Sequence, residues 1–142
     1  TMLNMALTKV SYPFLQAFTL GLLCNILVCL AVWMTYAATS VADKVMAILF
    51  PITAFVAACF EHSVANMYFL PIAWIINTFD PAFAASTSLN LTSLTWTNIL
   101  LKNLLPVTLG NLIGGVLFVG MVYALAYGPD KNREIKQNIK SR

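Results

Sequence analysis

Phe60-Glu61-His62-Ser63 places the chain's only histidine, beside one of its five acidic residues, in the middle of an apolar run from Val45 to Ile76. The run is 32 residues long and carries no other Asp, Glu, Lys, Arg or His. As one straight helix it would rise ~48 Å, against a hydrocarbon core of ~30 Å. In a membrane it must tilt or break, and the polar pair sits where a break would fall. Pro51 lies 11 residues before His62 and Pro71 nine after it; each removes a backbone donor and bends a helix. An ionisable pair near the midplane is costly and marks an ion or substrate path.

Composition points the same way. Apolar residues make up 60% of the 142-residue chain and charged ones 9%, whereas soluble domains carry about 25% charged residues. The chain therefore reads as an all-α integral membrane protein with room for three spans. A net charge of +3 does not indicate nucleic-acid binding, because most basic residues fall in one short tail. The opening Thr1-Met2-Leu3-Asn4 lacks the layout of a signal peptide, and a start at Thr leads us to expect trimming, a fragment or one piece of a longer polypeptide. Cys24, Cys29 and Cys59 all lie in apolar stretches and read as buried small hydrophobes without a disulfide. Cys59, three residues before His62, is a single candidate metal ligand with no companions. No metal or cofactor is expected, and one Glu with one His is too little chemistry for an enzyme.

The first span covers about residues 14–38, starting after Pro13, with Trp33 and Tyr36 suited to an interfacial aromatic belt. The second covers 45–76, broken near 59–63. From Asn77 to Asn98 the sequence turns polar and reads as an extramembrane loop. Trp96 to Leu105 reads as a short interfacial stretch, and the last span covers 104–127, continuing after Pro106 until Gly128-Pro129. The tail, residues 130–142, holds Lys131, Arg133, Lys136, Lys140 and Arg142, and the first connection holds Lys44. No Lys or Arg lies between Pro71 and Trp96. The positive-inside rule then puts the tail in the cytoplasm, and the loop and Lys9 outside.

Each span has a polar residue at depth: Asn25, then Glu61-His62 with Asn66, then Asn111. Asn at such depth is interhelical glue in the plain reading, the one we prefer for Asn111. For Asn25 a path lined with Gln16 and Thr19 competes with it. His62 reads as functional. Glu61 reads as a support, because adjacent helical positions face apart and a helix break frees backbone N–H groups for a carboxylate, with Asn66 as a further donor. A broken helix also points its dipole ends at the cavity, which suits a small anion. Gly110-x-x-x-Gly114 reads as a close helix contact.

Three stretches resemble one family. Gly21-Leu22-Leu23-Cys24-Asn25-Ile26-Leu27-Val28-Cys29-Leu30-Ala31 is similar to the second signature of the formate/nitrite transporters. Ala54-Phe55-Val56-Ala57-Ala58-Cys59-Phe60-Glu61-His62-Ser63-Val64-Ala65-Asn66-Met67 resembles their pore segment, and Pro106-Val107-Thr108-Leu109-Gly110-Asn111-Leu112-Ile113-Gly114-Gly115 their last span. Within the family the chain looks most like a formate channel, with Cys59 standing where such channels usually have glycine. The resemblance implies an aquaporin-like six-span protomer made of two inverted three-span repeats, assembled as a homopentamer in the bacterial inner membrane. Residues 1–142 would be its C-terminal half, spans four to six, working with a missing N-terminal half. By position, His62 resembles the central pore histidine and Phe55 an aromatic narrowing on its cytoplasmic side. Asn25 resembles a pore-lining polar residue, Lys9 a basic residue near the outer mouth, and Glu61 and Asn66 supports of the histidine.

The expected function is passage of formate, with His62 donating a hydrogen bond or a proton to the anion. Nitrite or hydrosulfide are alternative cargoes of the same class, and a structural subunit of a membrane complex is a rival class. Membrane lipid is the other expected partner; the basic tail reads chiefly as a topology signal.

Overall fold

The computed structural model describes residues 2–128; the basic tail, residues 130–142, read above as cytoplasmic, lies outside them. The described residues are helical, without strands: α1 Met2–Ser11, α2 Phe14–Ala37, α3 Val41–Ala57, α4 Ser63–Phe79, α5 Pro81–Ser86 and α6 Trp96–Tyr127.

Each boundary has a local cause. Pro13, in extended geometry, precedes α2. Ser40 opens α3 with a reciprocal cap: its Oγ accepts from the Asp43 N–H at 3.1 Å, and the Asp43 carboxylate accepts from the Ser40 N–H at 3.1 Å. Asp80 caps α5 by accepting from the Phe83 N–H, and Thr95 caps α6 by accepting from the Asn98 N–H. The stretch expected to be one polar loop thus contains a short helix.

α2 and α6 are each long and apolar enough to cross a membrane. The middle run is not one helix. α3 and α4 have 17 residues each, about 26 Å of rise, and are separated by Ala58–His62. α3 stops because Cys59 takes a left-handed φ of 53°. The N–H of Phe60 then reaches back to the Phe55 carbonyl at 3.0 Å and that of Cys59 to Val56 at 3.1 Å. This is a Schellman ending, with cysteine in the place that glycine favours.

The last helix begins earlier than position 104. It runs unbroken from Trp96, through two wide π-helical segments, Ile99–Leu104 and Gly114–Met121. Pro106 does not interrupt it: the wide turn, in which the Leu105 N–H reaches the Leu100 carbonyl, precedes the proline and makes room for its ring.

α2 and α6 pack almost backbone to backbone. A Cβ at Gly110 would run into the Phe18 carbonyl oxygen, and one at Gly114 into that of Leu22. α1, which the sequence did not announce, buries Leu3, Ala6 and Val10 against Leu70 and Ala73 of α4, with Leu94 and Ile99. That packing carries the end of α1 to the break between α3 and α4.

Candidate pore site

The break is held by polar side chains that converge from three helices, α1, α4 and α6. Asn111 of α6 closes its lower side. Its Oδ1 accepts from both the N–H and the hydroxyl of Ser63 at 2.9 Å, which caps α4 where His62, the preceding residue, offers no side-chain cap. Its Nδ2 donates to the Gly21 carbonyl at 2.7 Å and to the Glu61 carbonyl at 3.0 Å. One side chain thus ties α2, the break and α4 together.

Glu61 is 1% exposed. A carboxylate taken so far from water must be paired, and three groups do it. Lys9 Nζ lies 2.6 Å from Oε1, while Oε2 accepts from Asn66 Nδ2 at 2.6 Å and Asn103 Nδ2 at 3.1 Å. Asn103 Nδ2 also donates to the Lys9 carbonyl at 3.0 Å, and its Oδ1 accepts from Asn66 at 2.8 Å.

These bonds leave the His62 ring to the cavity. Its ring centroid lies 6.3 Å from that of Phe55, tilted by 33°. Both rings, with Lys9, Cys59, Glu61 and Asn66, border an open cavity of about 430 Å³ whose remaining lining is largely apolar. Polar groups tied to one another, beside an imidazole that is not, form a surface able to exchange a hydrogen bond or a proton with a small solute.

Of the residues singled out in the sequence, six border this cavity: Lys9, Phe55, Cys59, Glu61, His62 and Asn66. Glu61 and His62, read as facing apart, both reach it because they lie in the non-helical break. Asn25 sits elsewhere. Its Nδ2 donates to the Asn111 carbonyl at 2.6 Å beside Gly115, joining α2 to α6. Asn111, read as interhelical glue, does bond across helices; that it caps α4, and that Asn103 takes part at all, were not foreseen. One signal was available: a carboxylate at depth needs a cation and donors, and Lys102-Asn103 is a polar pair in an otherwise apolar stretch. Among the described residues no three His, Cys, Asp or Glu side chains cluster to hold a metal.

The sequence matches the family described as Formate/nitrite transporter over residues 1–125. The chain belongs to that family. Formate channel FocB of Escherichia coli (strain K12) is 43% identical over 129 residues, which are 88% of this chain and 46% of FocB. Formate channel FocA of the same strain is 45% identical over 123 residues, 84% of this chain and 43% of FocA. Among solved structures, a pentameric formate channel with formate bound superposes with a TM-score of 0.79 at 48% identity, covering 89% of this chain and 51% of that one. A second, described as an FNT family ion channel, gives 0.74 at 37% identity, covering 88% and 45%. The chain spans less than half the length of these curated formate/nitrite transporter relatives.

Proposed function

We propose that this chain supplies a three-span repeat of a bacterial inner-membrane formate channel, of aquaporin-like fold and pentameric assembly, with His62 at the centre of each pore. A complementary repeat closes the open cavity and brings the facing wall. The basic tail, against a loop without Lys or Arg, supports a cytoplasmic C-terminus and an outer position for Lys9.

One observation carries the reading: the lone imidazole borders the cavity at the helix break while the polar groups around it are tied to one another. An unpaired formate anion cannot cross an apolar slit cheaply. His62 relieves that cost in one of two ways. It donates a hydrogen bond to the anion, or it protonates it so that neutral acid passes the ring of Phe55. Imidazole suits both, because its charge changes within the physiological pH range. Lys9 acts here chiefly through Glu61, with its ammonium at the cavity rim as a weaker attractor of anions. Phe55 supplies the narrowing, and Glu61 and Asn66 hold the break. Asn25 serves the repeat by fixing Asn111.

The test is flux into proteoliposomes carrying the complete channel, with formate, nitrite and hydrosulfide compared at pH 7 and pH 5. Formate is expected to pass fastest, with a rate that depends on pH. His62→Phe is expected to remove that dependence. A pH profile identical in the two proteins takes His62 out of the mechanism; faster nitrite or hydrosulfide changes the cargo and keeps the pore.

A further inference from the structure

Asn103 bonds to Lys9, Glu61 and Asn66, and its bonds fix how the Asn66 amide is turned. Asn103 is 0% exposed and Asn66 1%. Asn66 Nδ2 is held between Glu61 Oε2 at 2.6 Å and Asn103 Oδ1 at 2.8 Å. Both partners are acceptors, so the nitrogen must face them and the amide cannot flip. The consequence falls on the other end of that amide: Asn66 Oδ1 is buried without a hydrogen-bond partner. A buried acceptor left empty costs about 1–3 kcal/mol, so the Asn66 oxygen calls for a donor. Asn66 stands one helical turn after His62, its N–H bonded to the His62 carbonyl at 2.9 Å, and both side chains border the same cavity. His62, one turn earlier, brings an imidazole donor to that cavity.

We propose that Asn103 is a positioning residue for the pore: by locking the Asn66 amide, it presents the Asn66 carbonyl oxygen as the acceptor for the His62 imidazole N–H. That bond selects which ring nitrogen carries the proton and leaves the other free for the solute. The proposal rests on the pore reading of His62 only for its meaning in transport, not for its geometry. The titratable groups that face the cluster are Lys9 and Tyr12 at the end of α1, Cys24 from α2, and Cys59, Glu61 and His62 in the break. α4 and α6 face it with the neutral Asn66, Asn103 and Asn111.

The experiment is nitrogen-15 NMR of histidine-labelled complete channel in lipid nanodiscs, with the His62 signal assigned by its loss in His62→Gln. Asn103→Leu is expected to change the tautomer ratio of His62 about fivefold, the equivalent of one net hydrogen bond of about 1 kcal/mol. Asn103→Asp keeps the shape but puts an acceptor where Glu61 needs a donor; it is expected to move the His62 titration along the pH axis. Val107→Ala, a buried change on the same helix outside the cluster, is expected to lower stability and leave the His62 signal in place. Unchanged His62 tautomer and titration in a folded Asn103→Leu or Asn103→Asp overturns the proposal, as does an equal change in Val107→Ala. Because the readout is not flux, its failure leaves the pore reading standing. Equally, flux indifferent to His62 leaves the hydrogen bond standing.

Discussion

Glu61 shows at the residue scale how a charge is kept out of water. Its carboxylate is answered by one cation and two amides, from three different helices. Removing one member of a buried pair costs more than removing both, because the survivor is left charged and unpaired. Lys9→Met is therefore expected to destabilise by about 3–5 kcal/mol. Adding Glu61→Gln should recover a measurable part of that loss. Thermal melts in detergent check the order; a double variant less stable than Lys9→Met refutes it. Cys59 makes the opposite case. Its side chain is exposed and its φ is 53°, a left-handed conformation that costs a residue with a Cβ about 1–2 kcal/mol. Part of that is offset by the greater freedom of glycine in the unfolded chain. Cys59→Gly should stabilise by about 0.5–1 kcal/mol and Cys59→Val should destabilise, both read as a shift in melting temperature. A lower melting temperature for Cys59→Gly would mean that the thiol itself contributes to the fold.

At the scale of elements, the interruption between α3 and α4 is a termination followed by a new start. The termination is local: a left-handed residue and two backward bonds. The start is borrowed from another helix, because the first N–H of α4 is satisfied by Asn111 of α6. Asn111→Leu would leave the Ser63 N–H and two carbonyls without that partner. The expected loss is at least about 3 kcal/mol, from three unsatisfied buried groups at about 1–3 kcal/mol each. Hydrogen exchange should quicken first at the start of α4, with α1 protected as before. Exchange rising uniformly along the chain would show that Asn111 acts through general packing. The wide turns of α6 belong to this scale too: the first contains Asn103 and the second begins at Gly114, one of the glycines where α6 meets the α2 backbone.

For the whole molecule, much apolar surface remains uncovered. On α3, Val45, Met46, Ile48, Leu49 and Phe50 are each 44–67% exposed. Continuous apolar surface of this kind needs lipid or protein against it, and the cavity beside His62 is open. Native mass spectrometry of the complete channel, extracted with lipid, is expected to give a mass of five protomers. A monomer retaining full flux after extraction would remove the assembly from the proposal.

Composition, the overlong run and its central Glu61-His62 pair were enough to read a helical membrane chain with an interrupted middle segment. Those are properties of local sequence: apolar length against bilayer thickness, and polar residues where lipid does not tolerate them. The three motifs were enough for the family. The partners of Glu61 were out of reach. Lys9 is 52 residues before it and Asn103 is 42 after it, and no periodicity links positions so far apart. Nor did spacing announce that Asn25 would join α2 to α6 while Asn111 capped a helix to which it does not belong. The tertiary structure decided these things, because buried charges and orphaned backbone groups take whichever donors the packing of distant helices brings within 3 Å.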